Sequence, residues 1–245
     1  MNILKSVRKT VRGILEIVDG GDTCILCGRE SFLLPLCHEC AEKIQKIDFS
    51  AKRCEKCGKI LFSEIEICRD CRENGKNFAF DSIFPILPYR NQKKSLLFEW
   101  KMRDNRMLSP LFASIIDNVL REKGWQDFPI VPVPPRPGKI RRKGWDQIDE
   151  LAYFLHTNFH RKILKILVRT SRAEQKRLSA LERLGNSRAG FSLKRNAHRI
   201  LPSEKKAAVL IDDIETTGAT LDSCARLLKN AGFELVFAVT LFSAR

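Results

Sequence analysis

The sequence lacks an uninterrupted apolar run near the roughly 20 residues that a membrane-spanning helix needs. It also lacks a secretion signal, because charged residues interrupt the apolar positions of residues 1–20 and no small-residue cleavage site follows them. We therefore expect a cytoplasmic protein. Low-complexity segments are absent as well, and hydrophobic residues make up 44% of the 245 residues, so most of the chain should fold as an ordinary globule.

Acidic residues are scarce relative to basic ones. The chain has 44 Lys and Arg against 29 Asp and Glu, a net charge of +15. Residues 136–206 alone hold 19 basic and 6 acidic residues and so carry a net charge of +13. Such a field attracts polyanions, either nucleic acid or a small molecule with several phosphates. A solvated basic surface without a ligand is the alternative.

The first segment has apolar residues at helical spacing and a basic opposite face between residues 2 and 18. This pattern predicts an amphipathic helix within residues 1–20. Such a helix can associate weakly with a membrane surface. We favour packing on the rest of the protein or on a partner.

Nine cysteines are many for a cytoplasmic chain, whose thiols are kept reduced. Two residues between a pair of cysteines let both thiolates reach one ion from a tight turn, and two such pairs make the tetrahedral sulfur set that structural zinc prefers. Residues 21–76 have few apolar residues of their own, so this module needs metal to fold. The predicted ligands form four CxxC pairs: Cys24, Cys27, Cys37, Cys40, Cys54, Cys57, Cys68 and Cys71.

The pairing of these cysteines stays open at this point. Sequential pairing gives two zinc ribbons, each with one ion, and an interleaved arrangement uses the same residues. An iron–sulfur cluster also accepts four thiolates, and His38 is a possible substitute ligand. Because four thiolates leave no open position for water, the metal should be structural and not catalytic.

From residue 77 onward, strand patterns alternate with helical ones, which favours an α/β domain with a mostly parallel sheet and flanking helices. Cys224 lies at helical spacing from Leu221 and Leu228 and is expected in the core. Strands are predicted within residues 80–89, 129–135, 163–168, 207–211 and 234–242, and helices within 95–101, 108–121, 145–159 and 219–231.

The most informative segment is A-A-V-L-I-D-D-I-E-T-T-G-A-T, residues 207–220. Carboxylates at the carboxyl end of a strand can accept hydrogen bonds from ribose hydroxyls, and the loop amides and threonine hydroxyls beside a helix N-terminus suit a phosphate. The alternative is a capped turn between a strand and a helix. The predicted substrate-binding residues are Asp212, Asp213, Glu215, Thr216, Thr217, Gly218, Ala219 and Thr220.

This loop resembles the ribose-phosphate motif of type I phosphoribosyltransferases, and the resemblance covers residues 80–245. It implies that Asp212 and Asp213 hold the ribose hydroxyls of phosphoribosyl pyrophosphate. It also implies that residues 215–220 hold the 5-phosphate, with Mg²⁺ bridging the pyrophosphate and the ribose.

The whole chain resembles the competence protein F family, whose members join a zinc ribbon to this domain. The matching pieces are the CxxC pairs, P-V-P-P at 132–135, K-G-W-D-Q at 143–147, the segment 169–191 and the ribose-phosphate loop. The fold implied is a double zinc ribbon, residues 21–76, followed by a phosphoribosyltransferase-like domain, residues 77–245.

The K-G-W-D-Q motif departs from the family's usual R-G-F-N-Q. Lys143 keeps the charge of the usual Arg but loses its bidentate recognition of phosphate. Asp146 adds a negative charge, which weakens the expected contact with nucleic acid or pyrophosphate. In related enzymes the segment 169–191 is a flexible hood over the pyrophosphate. The predicted pyrophosphate or nucleic-acid residues are Arg136, Arg141, Arg142, Lys143, Arg169, Lys176, Arg177 and Arg183.

The resemblance implies a role in DNA uptake during natural transformation, through binding of single-stranded DNA and with DNA-uptake proteins as possible partners. The alternative is an active phosphoribosyltransferase with a nucleobase-like acceptor. Purine-type enzymes carry an Asp base directly before the T-G of this loop, where this chain has Thr216. With no general base in view, the acceptor and turnover stay open, and we favour a binding protein.

Overall fold

The structure is a computed structural model that describes residues 22–31, 34–63, 66–75, 77–89, 93–170, 190–204 and 206–244. The predicted amphipathic helix and three predicted site residues, Lys176, Arg177 and Arg183, lie outside these residues. The chain divides into two compact units, Met1–Ile47 with Arg90–Leu111, and Asp48–Tyr89 with Phe112–Arg245. The domain boundaries after residues 20 and 76 stay predictions.

Beyond residue 77 the described residues contain strands interspersed with helices, although the strands at 167–169, 191–193 and 207–215 follow one another there without an α-helix between them. In chain order the helices and strands are β1 (Asp22–Thr23), β2 (Glu30–Ser31), α1 (His38–Gln45), α2 (Arg69–Glu73), β3 (Ser82–Pro88), α3 (Lys93–Lys101), α4 (Leu108–Glu122), β4 (Ile130–Pro132), α5 (Lys139–Lys143), α6 (Gln147–Phe159), β5 (Leu167–Arg169), β6 (Phe191–Leu193), β7 (Ala207–Glu215), α7 (Ala219–Asn230) and β8 (Leu235–Ser243). None of these helices is both long and apolar enough to cross a membrane.

The first unit combines a small cysteine-rich hairpin with helical segments. β1 and β2 pair antiparallel, and α1 follows them. Trp100 on α3 is fully buried, and its indole Nε1 donates a hydrogen bond to Ser109 Oγ at 2.8 Å. A buried indole N–H needs such a partner, so Trp100 is a hydrophobic anchor with its one polar atom satisfied.

The second unit is built on a four-stranded sheet in the order β3-β8-β7-β4, in which every neighbouring pair is parallel. Residues 207–211 of β7 are apolar and buried without interruption. A strand has such an uninterrupted apolar sequence when both faces of its sheet are covered. The predicted α/β class with a mostly parallel sheet and flanking helices is confirmed.

The core of this unit lies between the sheet and α7. Leu221, Cys224 and Leu228 on α7 are buried in one cluster with Val131 of β4 and Leu210 of β7. Cys224 is therefore a core residue, as its spacing predicted. Burial raises the pKa of the Cys224 thiol, which keeps it protonated and inert at neutral pH.

Strand β3 lies at one edge of the sheet, which is why it tolerates Pro85 in its middle. An edge strand has an outer row of backbone groups without a ladder partner. Arg53, from the second cysteine-rich segment, donates from Nη1 to the carbonyl of Pro85 at 3.0 Å and to that of Gly58 at 3.1 Å. Its guanidinium also lies 4.0 Å from the ring centroid of Phe84, on which Phe49 stacks.

Gly58 fixes how closely this segment approaches β3. It has a φ of +70°, and a Cβ added there would clash with the carbonyl oxygen of Ile83 and the ring of Pro85. Gly28, at the same place in the first cysteine-rich segment, has a φ of +73° but nothing within 4 Å of its Cβ position. The two glycines therefore share a backbone requirement, and only Gly58 also has a packing requirement.

We expect Gly58→Ala to destabilise the sheet and Gly28→Ala to leave it nearly unchanged. Both changes place a side chain at positive φ, at a cost of about 1–2 kcal/mol. Gly58→Ala adds an overpacking cost of about 1–3 kcal/mol against β3. Calorimetric melting of the zinc-loaded variants checks this, through the midpoint of the transition in which the sheet unfolds. Equal midpoints for the two variants would contradict the close approach at Gly58.

Candidate metal centres and phosphate-binding site

The eight paired cysteines form two separate clusters. In each cluster the Sγ atoms all lie within 4.8 Å of one another. The pairing is therefore sequential, and the interleaved arrangement is excluded. The first cluster is Cys24, Cys27, Cys37 and Cys40, and the second cluster is Cys54, Cys57, Cys68 and Cys71.

Each cluster begins with the same backbone turn. The amide of Cys24 donates to the carbonyl of Arg29 at 2.7 Å, and the amide of Gly28 donates back to the carbonyl of Cys24 at 2.8 Å. The second cluster repeats this turn, with Gly58 donating to Cys54 at 2.8 Å. Both glycines have positive φ, which a glycine adopts without steric cost. The turn aims both sulfurs of a CxxC pair at one point.

The second half of each cluster is the start of a helix. Cys37 and Cys68 immediately precede α1 and α2, and Cys40 and Cys71 lie in the first turns of these helices. Backbone amides at a helix start stabilise nearby thiolates. His38 is not a ligand in this arrangement, because its ring is exposed and lies 3.8 Å from the carboxylate of Glu42.

The donor set fits zinc. Four thiolates at this separation match a closed structural zinc site. Arg29 lowers the pKa of Cys27 to about 6, so this thiol is ionised at neutral pH as a metal ligand must be. Burial raises the pKa of Cys40 in the first cluster to about 12 and that of Cys57 in the second cluster to about 11, so both clusters need the charge of a cation to hold all four thiolates ionised. The prediction of two structural zinc sites is confirmed at the level of the ligand sets.

We call residues 212–220 the phosphate loop. Its two aspartates, Asp212 and Asp213, lie inside β7 and not after it. The predicted strand covered residues 207–211, whereas the observed strand runs to Glu215, because pairing with β8 continues from Asp212, opposite Thr240, to Glu215, opposite Ser243. Successive side chains of a strand point to opposite faces. Asp212 is accordingly half-buried on one face, and Asp213, 9% exposed, lies on the other.

The two carboxylates also have different neighbours. Asp212 Oδ1 accepts a hydrogen bond from the amide of Asp213 at 2.8 Å. The charge of Asp212 adds to the burial that raises the pKa of Cys224, and the charge of Arg169 opposes it. Asp212 and Arg169 are therefore near the same buried thiol, although they are 43 positions apart in the sequence.

Glu215 points into the protein. Its side chain is 3% exposed and accepts a hydrogen bond from Ser243 Oγ at 3.4 Å. Thr216 and Thr217, which follow it, are exposed. Gly218 has a φ of +83° and is the N-cap of α7 without contributing a capping side chain. The amide of Ala219, the first residue of α7, donates to Thr217 Oγ1 at 3.4 Å, as in the capped turn named as the alternative, and the N-terminus of α7 lies beside the exposed loop.

A cavity of about 470 Å³ opens at the carboxyl end of β4. Its walls include Pro132 and Val133, and the amide of Val133 donates to the carbonyl of Ile211, the residue before Asp212, at 3.0 Å. The cavity and the phosphate loop are therefore neighbours along one edge of the sheet. We call this space the basic cavity, because five of its lining residues are cationic: Arg136, Arg141, Lys165, Arg169 and Lys194.

The structure brings together three of the predicted pyrophosphate or nucleic-acid residues, Arg136, Arg141 and Arg169, around this cavity. Arg142 and Lys143 are not among its lining residues. Lys143 lies instead with its Nζ 5.6 Å from the ring of Trp145, which is buried. Their roles in binding stay predictions.

Sequence reasoning missed Lys165 and Lys194. Both lie beside the antiparallel pair of β5 and β6, whose register sets Leu167 opposite Leu193. The only sequence signal was the basic excess of this region, which did not single them out. Lys165 also pairs with Asp149 at 2.6 Å, so part of its charge is neutralised.

Asp146 does not present its charge to a ligand, contrary to the expectation from its motif. It is 4% exposed and is the N-cap of α6, accepting hydrogen bonds from the amides of Ile148 at 2.9 Å and Asp149 at 3.1 Å. Lys139 Nζ lies 2.6 Å from its other oxygen. Capping of α6 and pairing with Lys139 account for both oxygens of this carboxylate.

Comparison with known proteins agrees with this architecture. A family model described as a double zinc ribbon domain matches residues 21–72. Competence protein ComFC of Bacillus subtilis is 29% identical over 229 residues, covering 85% of this chain and 89% of that protein. Competence protein ComFC of Streptococcus pneumoniae is 28% identical, covering 85% and 94%. Competence protein F of Haemophilus influenzae is 26% identical, covering 81% and 86%.

The resemblance to the competence protein F family is confirmed. Each similarity to ComFC covers 85% of the chain, so it extends well beyond the residues 21–72 that the double zinc ribbon model matches.

We expect Asp146→Ala to be more destabilising than Asp146→Asn. Asn retains an oxygen that can cap α6, whereas Ala removes the cap at a cost of about 0.5–2 kcal/mol. Both variants lose the ion pair with Lys139, so their difference isolates the cap. Urea unfolding of the two zinc-loaded variants measures it. If they unfold at the same urea concentration, the carboxylate acts through Lys139 and not through the helix amides.

Proposed function

We propose that the protein acts in DNA uptake by binding single-stranded DNA along the phosphate loop and the basic cavity. The observation that carries this proposal is the cluster of cations beside the carboxyl ends of two adjacent parallel strands, β4 and β7. Ligands of open α/β sheets bind at this edge. The similar proteins are named as competence proteins, which supports a role in the same process.

The geometry suits a chain of phosphates better than a single one. One phosphate binds at the N-terminus of α7, where Thr217 and Gly218 border the exposed loop. The neighbouring phosphates of a strand then reach Arg136, Arg141 and Arg169 around the adjacent cavity. A positive groove that follows the backbone is the general mode of sequence-independent single-strand binding.

The walls of the basic cavity also suit the other parts of a nucleotide. Pro132, Val133, Pro134 and Leu167 give it apolar surface between the cations. Sugars and bases pack on apolar surface while phosphates contact cations, and pockets of this mixed kind bind organic anions. The cavity therefore accommodates a nucleotide unit and not only an inorganic anion.

A second candidate is phosphoribosyl pyrophosphate bound with Mg²⁺, with or without transfer of its ribose 5-phosphate. The exposed loop with a glycine at positive φ before α7 favours it. In this proposal Asp212 and Asp213 hold the ribose hydroxyls, the loop holds the 5-phosphate, and the metal neutralises the pyrophosphate. Thr216 supplies no general base, so binding without turnover is the simpler form.

The DNA proposal predicts that three cavity residues set the salt dependence of binding. We expect the triple variant Arg136→Ala, Arg141→Ala, Arg169→Ala to have a shallower slope of log affinity against log salt. The slope should fall in magnitude by about 2, at about 0.7 for each lost phosphate contact with a single strand. Fluorescence anisotropy with a labelled oligonucleotide at several salt concentrations measures this slope.

The matched control removes three cations away from this edge. Arg121 and Lys206 precede the amino ends of β4 and β7, and Arg226 lies in the second half of α7. Replacing these three by Ala changes the net charge equally and should leave the slope nearly unchanged. If both triple variants flatten the slope alike, binding is spread over the surface and the cavity is not its site.

The loop proposal predicts that Thr217→Val weakens phosphoribosyl pyrophosphate binding by about 1.5–3 kcal/mol, the value of one hydrogen bond to a charged group. Calorimetry in the presence of Mg²⁺ measures the loss, with Thr157→Val on α6 as a control of the same chemistry. Added phosphoribosyl pyrophosphate should also displace the oligonucleotide from the wild-type protein. Independent binding of the two ligands would place DNA elsewhere, and consumption of phosphoribosyl pyrophosphate with an acceptor would favour the enzyme.

A further inference from the structure

The two cysteine clusters differ sharply in their exposure. All four cysteines of the second cluster are between 1% and 3% exposed, and Leu61 and Ile67 pack against them. In the first cluster Cys27 is exposed and Cys37 is half-buried. The same ligand set and the same backbone turn are thus closed to solvent in one unit and open in the other.

A second observation concerns the path to the exposed cluster. A cavity of about 330 Å³ reaches Cys27 and Cys40 directly. Three cationic residues line it: Arg29, Lys43 and Lys93. Glu39 offsets part of this charge, since its carboxylate lies 2.7 Å from Arg29 and 4.0 Å from Lys43. The cavity nevertheless has more cations than anions next to an accessible sulfur.

From these two observations we infer that Cys27 is a site of thiol modification, through which small anionic disulfides release the zinc of the first cluster. Reactivity of a cysteine follows access and thiolate character, and zinc holds its ligands as thiolates. The cations of the cavity attract an anionic reagent to the exposed sulfur. The second cluster offers no such access and keeps its metal.

The chemistry balances as a thiol–disulfide exchange. The Cys27 thiolate attacks one sulfur of the disulfide, forming a mixed disulfide and expelling one small thiolate. The Cys37 thiolate, whose sulfur lies 3.6 Å from that of Cys27, then attacks Cys27 and expels the second small thiolate. Two protein thiolates have lost two electrons, and the reagent has gained them. The zinc ion is left with two of its four ligands and dissociates.

The experiment treats the full-length, zinc-loaded protein with 5,5′-dithiobis(2-nitrobenzoate), an anionic disulfide whose released thiolate is coloured. A metallochromic indicator follows zinc at the same time. We expect one of the two zinc ions to be released in a fast phase together with two thiolates, and peptide mapping to find a Cys27–Cys37 disulfide. Release of both ions at one rate, or a first disulfide within the second cluster, would overturn the inference.

The role of the cavity is tested without touching a ligand. The double variant Lys43→Ala, Lys93→Ala should slow the fast phase several-fold for the anionic disulfide and leave it unchanged for the neutral reagent 2,2′-dithiodipyridine. The double variant Lys46→Ala, Lys94→Ala is the matched control, since both are exposed lysines of the same unit that do not line the cavity. Equal slowing of both reagents would show that the lysines only support the local fold, and no slowing would remove the cavity from the path.

Discussion

The position of β7 between two parallel neighbours is the constraint on which the candidate site depends. Because β8 and β4 flank it and both faces of the sheet are covered, β7 is a continuous apolar strand up to Ile211. Its first polar residues therefore emerge only where the cover ends, at the carboxyl edge. The same pairing sets Pro132 of β4 opposite Ile211, so the cavity that begins at Pro132 lies next to the end of this apolar run. The parallel pairing of β4 and β7 thus places the cavity and the loop after β7 at the same edge of the sheet.

The two cysteine clusters have the same local backbone structure and the same ligand set in two different environments. Both clusters have the same turn, the same helix start and a glycine at positive φ, so the ligand geometry is set within each segment. What surrounds them differs. The second cluster is built into the unit that contains the sheet, through Arg53 and Gly58, whereas the first is a cluster with a thiol at the surface. Identical coordination chemistry therefore does not imply identical reactivity.

Local patterns carried most of what could be predicted. The CxxC spacing identified all eight ligands, since a metal site of this kind is made from turns a few residues long. The alternation of strands and helices gave the parallel sheet, and the spacing of Cys224 placed it in the core. The motif 207–220 identified the loop, although the strand was predicted too short, because apolar composition ends at Ile211 while the hydrogen-bonded pairing with β8 continues to Glu215.

Long-range packing explains what the sequence could not show. The cap of α6 is the exception, because the partners of Asp146 lie within seven residues of it and an Asp directly before a helix is itself a capping signal. Lys165 and Lys194 meet only because β5 and β6 pair across a long separation. The approach of Gly58 to β3 is invisible for the same reason, since the glycine's own turn is explained without it.

That approach has a consequence for a chain that has not yet acquired metal. Edge strands left uncovered are templates for pairing with other chains, and β3 is an edge strand of apolar composition. The second cysteine-rich segment shields part of that edge only when its turn is formed, and metal binding is what forms such turns. Loss of the second ion is therefore expected to uncover this part of the β3 edge as well as to unfold the turn around the metal.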